Sequence, residues 1–228
     1  MLPRHATARR ISPRDARAEK SGHQNVFRDR CATAVRAILI EATLFDLSEA
    51  RPLMEFRETK ISGVYAIDPT LQEDDRGRFF RAWCARDFED HGIKFVPVQA
   101  NMGFSHRKGT LRGIHFQADS AAEAKLVRCT RGAMFDVALD LRSGSPTFGH
   151  WHGEVLTATN GRMLYVPEGC AHGYQTLEEA TEMHYMTSHV YVPCAAHGVR
   201  FDDPAFAIRW PLRPTVISEQ DRSWPLLG

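Results

Sequence analysis

From Ile61 onward the sequence is cut into short apolar segments by Gly, Pro, Asn and Asp at intervals of roughly 8 to 12 residues. That rhythm leaves room for many short strands and almost none for long helices. Residues 134–142 (MFDVALDLR) alternate, with Phe135, Val137, Leu139 and Leu141 on one face and Asp136 and Asp140 on the other, as expected of a strand buried on one side only. Residues 150–159 and 162–166 flank Asn160-Gly161, which is expected to close a β-hairpin through a type I′ turn, because Asn and Gly tolerate the positive φ that turn requires. Helical spacing is confined to residues 86–91 and a stretch near the C-terminus. The expected class is all-β: an antiparallel sandwich or barrel with a few short helices.

The bulk numbers exclude several functions. With 29 Lys and Arg against 28 Asp and Glu, the formal charge is +1, so no global field recruits nucleic acid or an anionic membrane, and an anionic ligand has to be held locally. No apolar run approaches the roughly 18 residues of a membrane span, and the N-terminus does not read as a secretory signal; a cytoplasmic protein is expected. Cys31, Cys84, Cys129, Cys170 and Cys194 are odd in number and widely spaced, which fits small buried hydrophobes better than a disulfide framework. The first 53 residues differ from the rest, with ten Lys or Arg against six Asp or Glu and helical apolar spacing only over 31–47. The expectation is a poorly ordered basic extension over 1–53, then one domain over 54–228.

The most informative spacing is Gly161, Pro167, Gly169, His172 in GRMLYVPEGCAH. It resembles the second half of the cupin signature, in which a strand delivers a histidine into the mouth of a jelly-roll barrel. Gly109 and His115 match the first half, but the HxH pair of metal-binding cupins is His115-Phe116-Gln117 here. Two histidines do not make a stable metal site. A wider set of segments is similar to the dTDP-4-dehydrorhamnose 3,5-epimerase family: Asp75-Arg76-Gly77, Gln99-Ala100-Asn101, LRGIHFQ over 111–117, Lys125-Leu126-Val127-Arg128, FDVALDLR over 135–142, SPTFG over 145–149 and PEGCAHG over 167–173. The match runs from about residue 61 to 227, in order, and chance agreement of so many separated motifs is negligible.

The resemblance implies a metal-independent and cofactor-independent epimerase on a cupin-like jelly roll, acting on a nucleotide-diphosphate sugar as a homodimer, with no nucleic acid or membrane partner. In a 4-keto-6-deoxy sugar, C3 and C5 both flank the ketone, so inversion requires a base on one face, a proton donor on the other, and a charge that stabilises the enolate oxygen. The family's motifs carry these roles onto His115 as base, Asp221 as its carboxylate partner, Tyr185 as acid and Lys125 as enolate cation. Diphosphate and sugar contacts fall on Arg76, Gln99, Asn101, Arg112 and His172, and Tyr191 falls where the family stacks an aromatic ring on the nucleotide base. Arg76 lies near strands that family members exchange across a dimer.

Two other readings share parts of the pattern. His150, His152 and Glu154 would project from one face of an alternating strand, which would suit a metal-dependent cupin oxygenase or isomerase. A non-catalytic sugar-binding cupin would keep the cleft and lose the base or the acid, yet His115 and Tyr185 are both present. Arg81, Ala196 and Gln220 depart from the family pattern, all at substrate-binding positions. Recognition of the base or the ring substituents is therefore expected to differ from the family's usual choice. Calorimetric titration with thymidine, cytidine and guanosine diphosphates tests this, and tightest binding of thymidine diphosphate would contradict it.

Overall fold

The computed structural model describes residues 52–227; the basic segment, its apolar spacing over 31–47 and Cys31 lie outside them. Thirteen strands and two short helices follow one another: β1 (Met54–Glu58), β2 (Tyr65–Pro69), β3 (Gln72–Asp74), β4 (Gly77–Phe79), α1 (Ala85–Asp90), β5 (Gln99–Ser105), β6 (Leu111–Gln117), β7 (Lys125–Arg131), β8 (Ala133–Asp140), β9 (Trp151–Thr157), β10 (Met163–Val166), β11 (Cys170–Thr176), β12 (Thr181–Thr187), β13 (Ala196–Gly198) and α2 (Glu219–Ser223). A six-stranded sheet runs β1-β2-β10-β7-β12-β5 and a five-stranded sheet runs β13-β6-β11-β8-β9, with β3 and β4 forming a separate hairpin. All the strand pairings are antiparallel. The chain moves repeatedly from one sheet to the other, which is the jelly-roll arrangement expected from the sequence.

Three apolar clusters explain why the sheets pack as they do. Between them, Val127, Cys129, Leu164 and Met183 of the six-stranded sheet meet Met134, Ala138, Leu156 and Tyr174 of the other. The outer face of the six-stranded sheet is covered by Phe88 of α1 with Ile93 and Phe95. The outer face of the five-stranded sheet, with Val137, Leu139, Ile114 and Ala171, is covered by Val199, Phe206, Ile208 and Trp210 from the segment after β13. Gln175 pins that segment through both its amide atoms, accepting from Leu212 N and donating to Leu212 O, each at 2.9 Å. Asp203 closes the turn before Pro204 by accepting from Ala205 N at 2.9 Å, and also accepts from Leu227 N at 2.7 Å.

The second cover corrects the strand at 134–140. It is buried on both faces: Asp136 and Asp140 are as inaccessible as Val137 and Leu139 and point between the sheets, so both are interior carboxyl groups. Alternation reported the two faces correctly but could not show that a distant segment seals the outer one. The hairpin reading is also corrected, because β9 belongs to the five-stranded sheet and β10 to the six-stranded one. Only Gly161 has positive φ at that turn, which is held by the Asn160 side chain accepting from Thr157 N and Arg162 N. Of the cysteines, Cys129 and Cys170 are buried as expected, while Cys84 is half-buried and Cys194 exposed.

Where β9 meets the six-stranded sheet, Glu154 joins the two layers. It accepts from Arg162 and is approached by Arg57 at 3.5 Å, and Arg162 also holds Asp68 at 2.6 Å. The His152 hydrogen bond, opposed by burial and aided by Arg162 and Arg57, brings the Glu154 carboxyl down to about 2. Because the folded value lies below the unfolded one near 4.3, this stabilisation is present above the unfolded value and is lost as pH falls toward 2. Glu154→Gln is therefore expected to lose about 2 kcal/mol at pH 6, with a gap from wild type that narrows in acid, as urea denaturation across pH would measure; a gap independent of pH contradicts the assignment.

Candidate active site

One end of the space between the sheets is polar, and the strand register shows which side chains share it. On β12 and its neighbours, Tyr185 pairs with Val127 and Asn101, and Thr187 pairs with Lys125 and Gln99, so Tyr185, Lys125, Asn101 and Gln99 share the inward face of the six-stranded sheet. On the five-stranded sheet His172 pairs with His115 and Ala138, and Tyr174 pairs with Arg112 and Asp136. His115 and Arg112 are three residues apart yet face the same way because of a bulge at Gly113. Gly113 has φ +121°, and a Cβ there would lie 2.5 Å from the Gly173 Cα, so the two strands close only over glycine.

His115 is anchored from a remote part of the chain. Ser218 caps α2 by accepting from Asp221 N at 3.0 Å, which fixes the first turn and turns the Asp221 carboxylate toward β6. Asp221 Oδ1 lies 2.6 Å from His115 Nε2, and Oδ2 accepts from Gly113 N at 3.3 Å. A carboxylate only accepts, so Nε2 carries the proton and Nδ1 keeps the lone pair. The Trp224 ring covers Gly198 so closely that a Cβ there would lie 2.3 Å from it, and its edge approaches the His115 ring. Asp221 is buried whereas the His115 side chain is 45% accessible, which places an oriented imidazole at an open surface. Burial acts to raise the Asp221 carboxyl, but the hydrogen bond and charge of His115 and the Gly113 amide hold it below its ordinary value.

Lys125 is buried at the start of β7, not solvated, with Nζ 3.0 Å from Glu123 Oε1 and 3.4 Å from the His115 carbonyl oxygen. His172 is buried and its Nε2 lies 2.8 Å from Asp136 Oδ1. Burial pushes the Asp136 carboxyl upward against the opposing pull of His172 and Lys125, and its Oδ2 has no partner. Desolvation, then the charge of Glu123, raises the Tyr185 phenol, so it stays a proton donor through neutral pH.

The rim holds the remaining predicted residues. Gln99 accepts from Tyr191 N at 3.0 Å and donates to Asn101 Oδ1 at 3.2 Å, while the Asn101 amide nitrogen is buried without a partner. Arg112 is exposed and donates to Phe104 O at 3.3 Å; Tyr191 projects with 59% of its surface accessible. Arg76 stands apart on the turn between β3 and β4, highly exposed and paired with Asp74. Of the three departing positions, Arg81 pairs with Asp87 of α1 at 3.0 Å, Ala196 opens β13 opposite Gln117, and Gln220 lies in α2 beside Asp221. The His150, His152 and Glu154 triad is not assembled: His150 precedes β9, and the Glu154 oxygens are taken by His152, Arg162 and Arg57. Among the described residues, no three His, Cys, Asp or Glu side chains are grouped as metal ligands. Sequence reasoning missed Asp136, Glu123 and Gln117 as parts of this site. An aspartate inside an otherwise apolar strand was the signal available for the first.

Known proteins resemble this chain in sequence and in fold. The family model described as dTDP-4-dehydrorhamnose 3,5-epimerase matches residues 58–228. The protein of that name from Sinorhizobium fredii is 44% identical over 76% of this chain and 90% of its own length. Crystal structures named for the same enzyme superpose with TM-score 0.74: that from Elizabethkingia anophelis is 37% identical and covers 77% of this chain and 97% of its own, and that from Bacillus anthracis, with TDP and PPi bound, is 39% identical and covers 76% and 99%.

Asp221→Asn tests the dyad geometry directly. An amide at that position can donate to Nε2 and move the ring proton to Nδ1, so 15N-resolved imidazole spectra should report a tautomer switch at His115 in a folded protein. An unchanged tautomer contradicts the assigned contact.

Proposed function

The chain belongs to the dTDP-4-dehydrorhamnose 3,5-epimerase family, and from that premise we propose that it epimerises a nucleotide-linked 4-keto-6-deoxy sugar by proton transfer between His115 and Tyr185. The observation that carries the proposal is the 2.6 Å contact of Asp221 with His115 Nε2, which leaves Nδ1 as the basic nitrogen of a side chain that is 45% accessible. His115 Nδ1 removes the proton from C3 or C5, and the electron pair moves onto the C4 oxygen. The buried Lys125 ammonium is suited to stabilise that oxygen, since a fixed charge in a partly desolvated cleft requires no reorganisation as charge develops. Tyr185 then donates its phenolic proton to the opposite face of the carbon, inverting it; the imidazolium releases its proton to solvent and the phenolate takes one up, which restores both groups. The substrate's own ketone acidifies both carbons, so the reaction needs no cofactor.

We assign the diphosphate and sugar to Arg112, His172, Gln99 and Asn101, the last offering an unpaired buried amide, and the base to Tyr191. Arg76 is too exposed on its hairpin to serve this cleft without a further element against it, which favours a homodimer whose second copy completes the site. A cytoplasmic setting fits deoxysugar biosynthesis, and no helix among the described residues is long and apolar enough to cross a membrane.

Incubation of 4-keto-6-deoxyglucose linked to thymidine, cytidine or guanosine diphosphate in deuterated buffer, followed by NMR, tests this reading. Wild type is expected to incorporate deuterium at C3, C5 or both with inversion. His115→Ala should slow that exchange by about 10²–10⁴-fold. Tyr185→Phe should retain exchange while losing inverted product, and undiminished exchange in His115→Ala would overturn the base assignment.

A further inference from the structure

Glu123 is a nearly buried carboxylate for which the proton relay has no direct use, and its contacts span the two sheets. One oxygen lies 3.0 Å from Lys125 Nζ of the six-stranded sheet, and the other accepts from Gln117 Nε2 of the five-stranded sheet at 3.1 Å. Gln117 lies two residues beyond His115, is itself buried, and accepts from Val192 N at 2.6 Å while donating to Val190 O at 3.1 Å. One amide thus fixes the loop that carries Tyr191 and the carboxylate that holds Lys125.

We propose that Glu123 is a positioning residue for the epimerase reaction: clamped by Gln117, it orients the Lys125 ammonium toward the cleft and sets the charge against which Tyr185 works. This rests on the roles given above to Lys125 and Tyr185. A lysine has three donors and a flexible stem, so a single fixed carboxylate together with the His115 carbonyl determines where its charge sits. The same carboxylate contributes, after burial, to keeping the Tyr185 phenol protonated. The other titratable groups around Tyr185 are Tyr174 on β11, Tyr191 in the loop after β12 and Lys125 on β7; Glu123→Gln leaves both tyrosines in place and frees the Lys125 ammonium from its carboxylate, which acts on the phenol in the same direction as loss of the carboxylate itself. A carboxylate that only neutralised a buried lysine would affect stability, whereas one that positions the ammonium also lowers kcat with little change in KM.

Glu123→Gln keeps the shape and removes the charge. In 13Cζ-tyrosine NMR titrations, with the Tyr185 resonance identified by its loss in Tyr185→Phe, the phenol should titrate at lower pH in Glu123→Gln than in wild type. The alkaline limb of kcat should move the same way, with kcat reduced roughly 10-fold and KM changed less than about 3-fold. Glu123→Ala, a second neutral variant, should give the same displacement of the titration, so the measurement survives misfolding of either one. A Tyr185 titration unmoved in a folded neutral variant overturns the proposal. Because that readout requires no turnover, it separates failure of this inference from failure of the epimerase reading, which an inactive wild type would reveal.

Discussion

A buried carboxylate at the start of a five-residue helix, 2.6 Å from an accessible imidazole more than 100 positions earlier in the chain, is the contact around which this molecule is arranged. It exists only because the segment between β13 and α2 is pinned. Gln175 holds Leu212, Asp203 holds Leu227, and Trp224 is set into the space over Gly198. The apolar cover that seals the five-stranded sheet is therefore also the device that brings Asp221 to His115. Core packing and the placement of Asp221 share one element, so changes in Phe206 or Trp210 should be felt at the imidazole as well as in the core.

Each carboxyl group in the cleft is paired with a basic side chain, and the Asp136–His172 pair joins two strands. Asp221 meets His115, Asp136 meets His172, and Glu123 meets Lys125. Left alone, any of these carboxylates would bear the cost of burial; paired, each fixes the orientation of a cation or an imidazole. Tyr185 is the neutral member, kept protonated by desolvation and by the neighbouring negative charge.

An antiparallel β-sandwich or barrel with two short helices was legible from turn spacing, because strand breaks are local chemistry, and its jelly-roll form followed from the resemblance. The family was legible from ordered motifs, and those motifs singled out His115 and Asp221, which are in contact, and Lys125 and Tyr185, which share the inward face of the six-stranded sheet. What sequence could not convey was long-range. Asp136 and Asp140 seemed destined for solvent because their strand alternates, yet a segment 60 residues later covers the opposite face and leaves the carboxylates inside. Asn160-Gly161 reads locally as a hairpin turn, while the sheet topology uses it to cross between layers. Glu123 belongs to a region with no regular pattern, and only the approach of two sheets gives it both partners.

The most direct test is a crystal structure with an unreactive analogue of a nucleotide-linked 4-keto sugar bound. The account predicts the sugar ring between the two sheets, with His115 Nδ1 within roughly 3 to 3.5 Å of C3 or C5 on one face and the Tyr185 hydroxyl on the other. A ring bound away from that gap, or with both side chains against the same face, would contradict it.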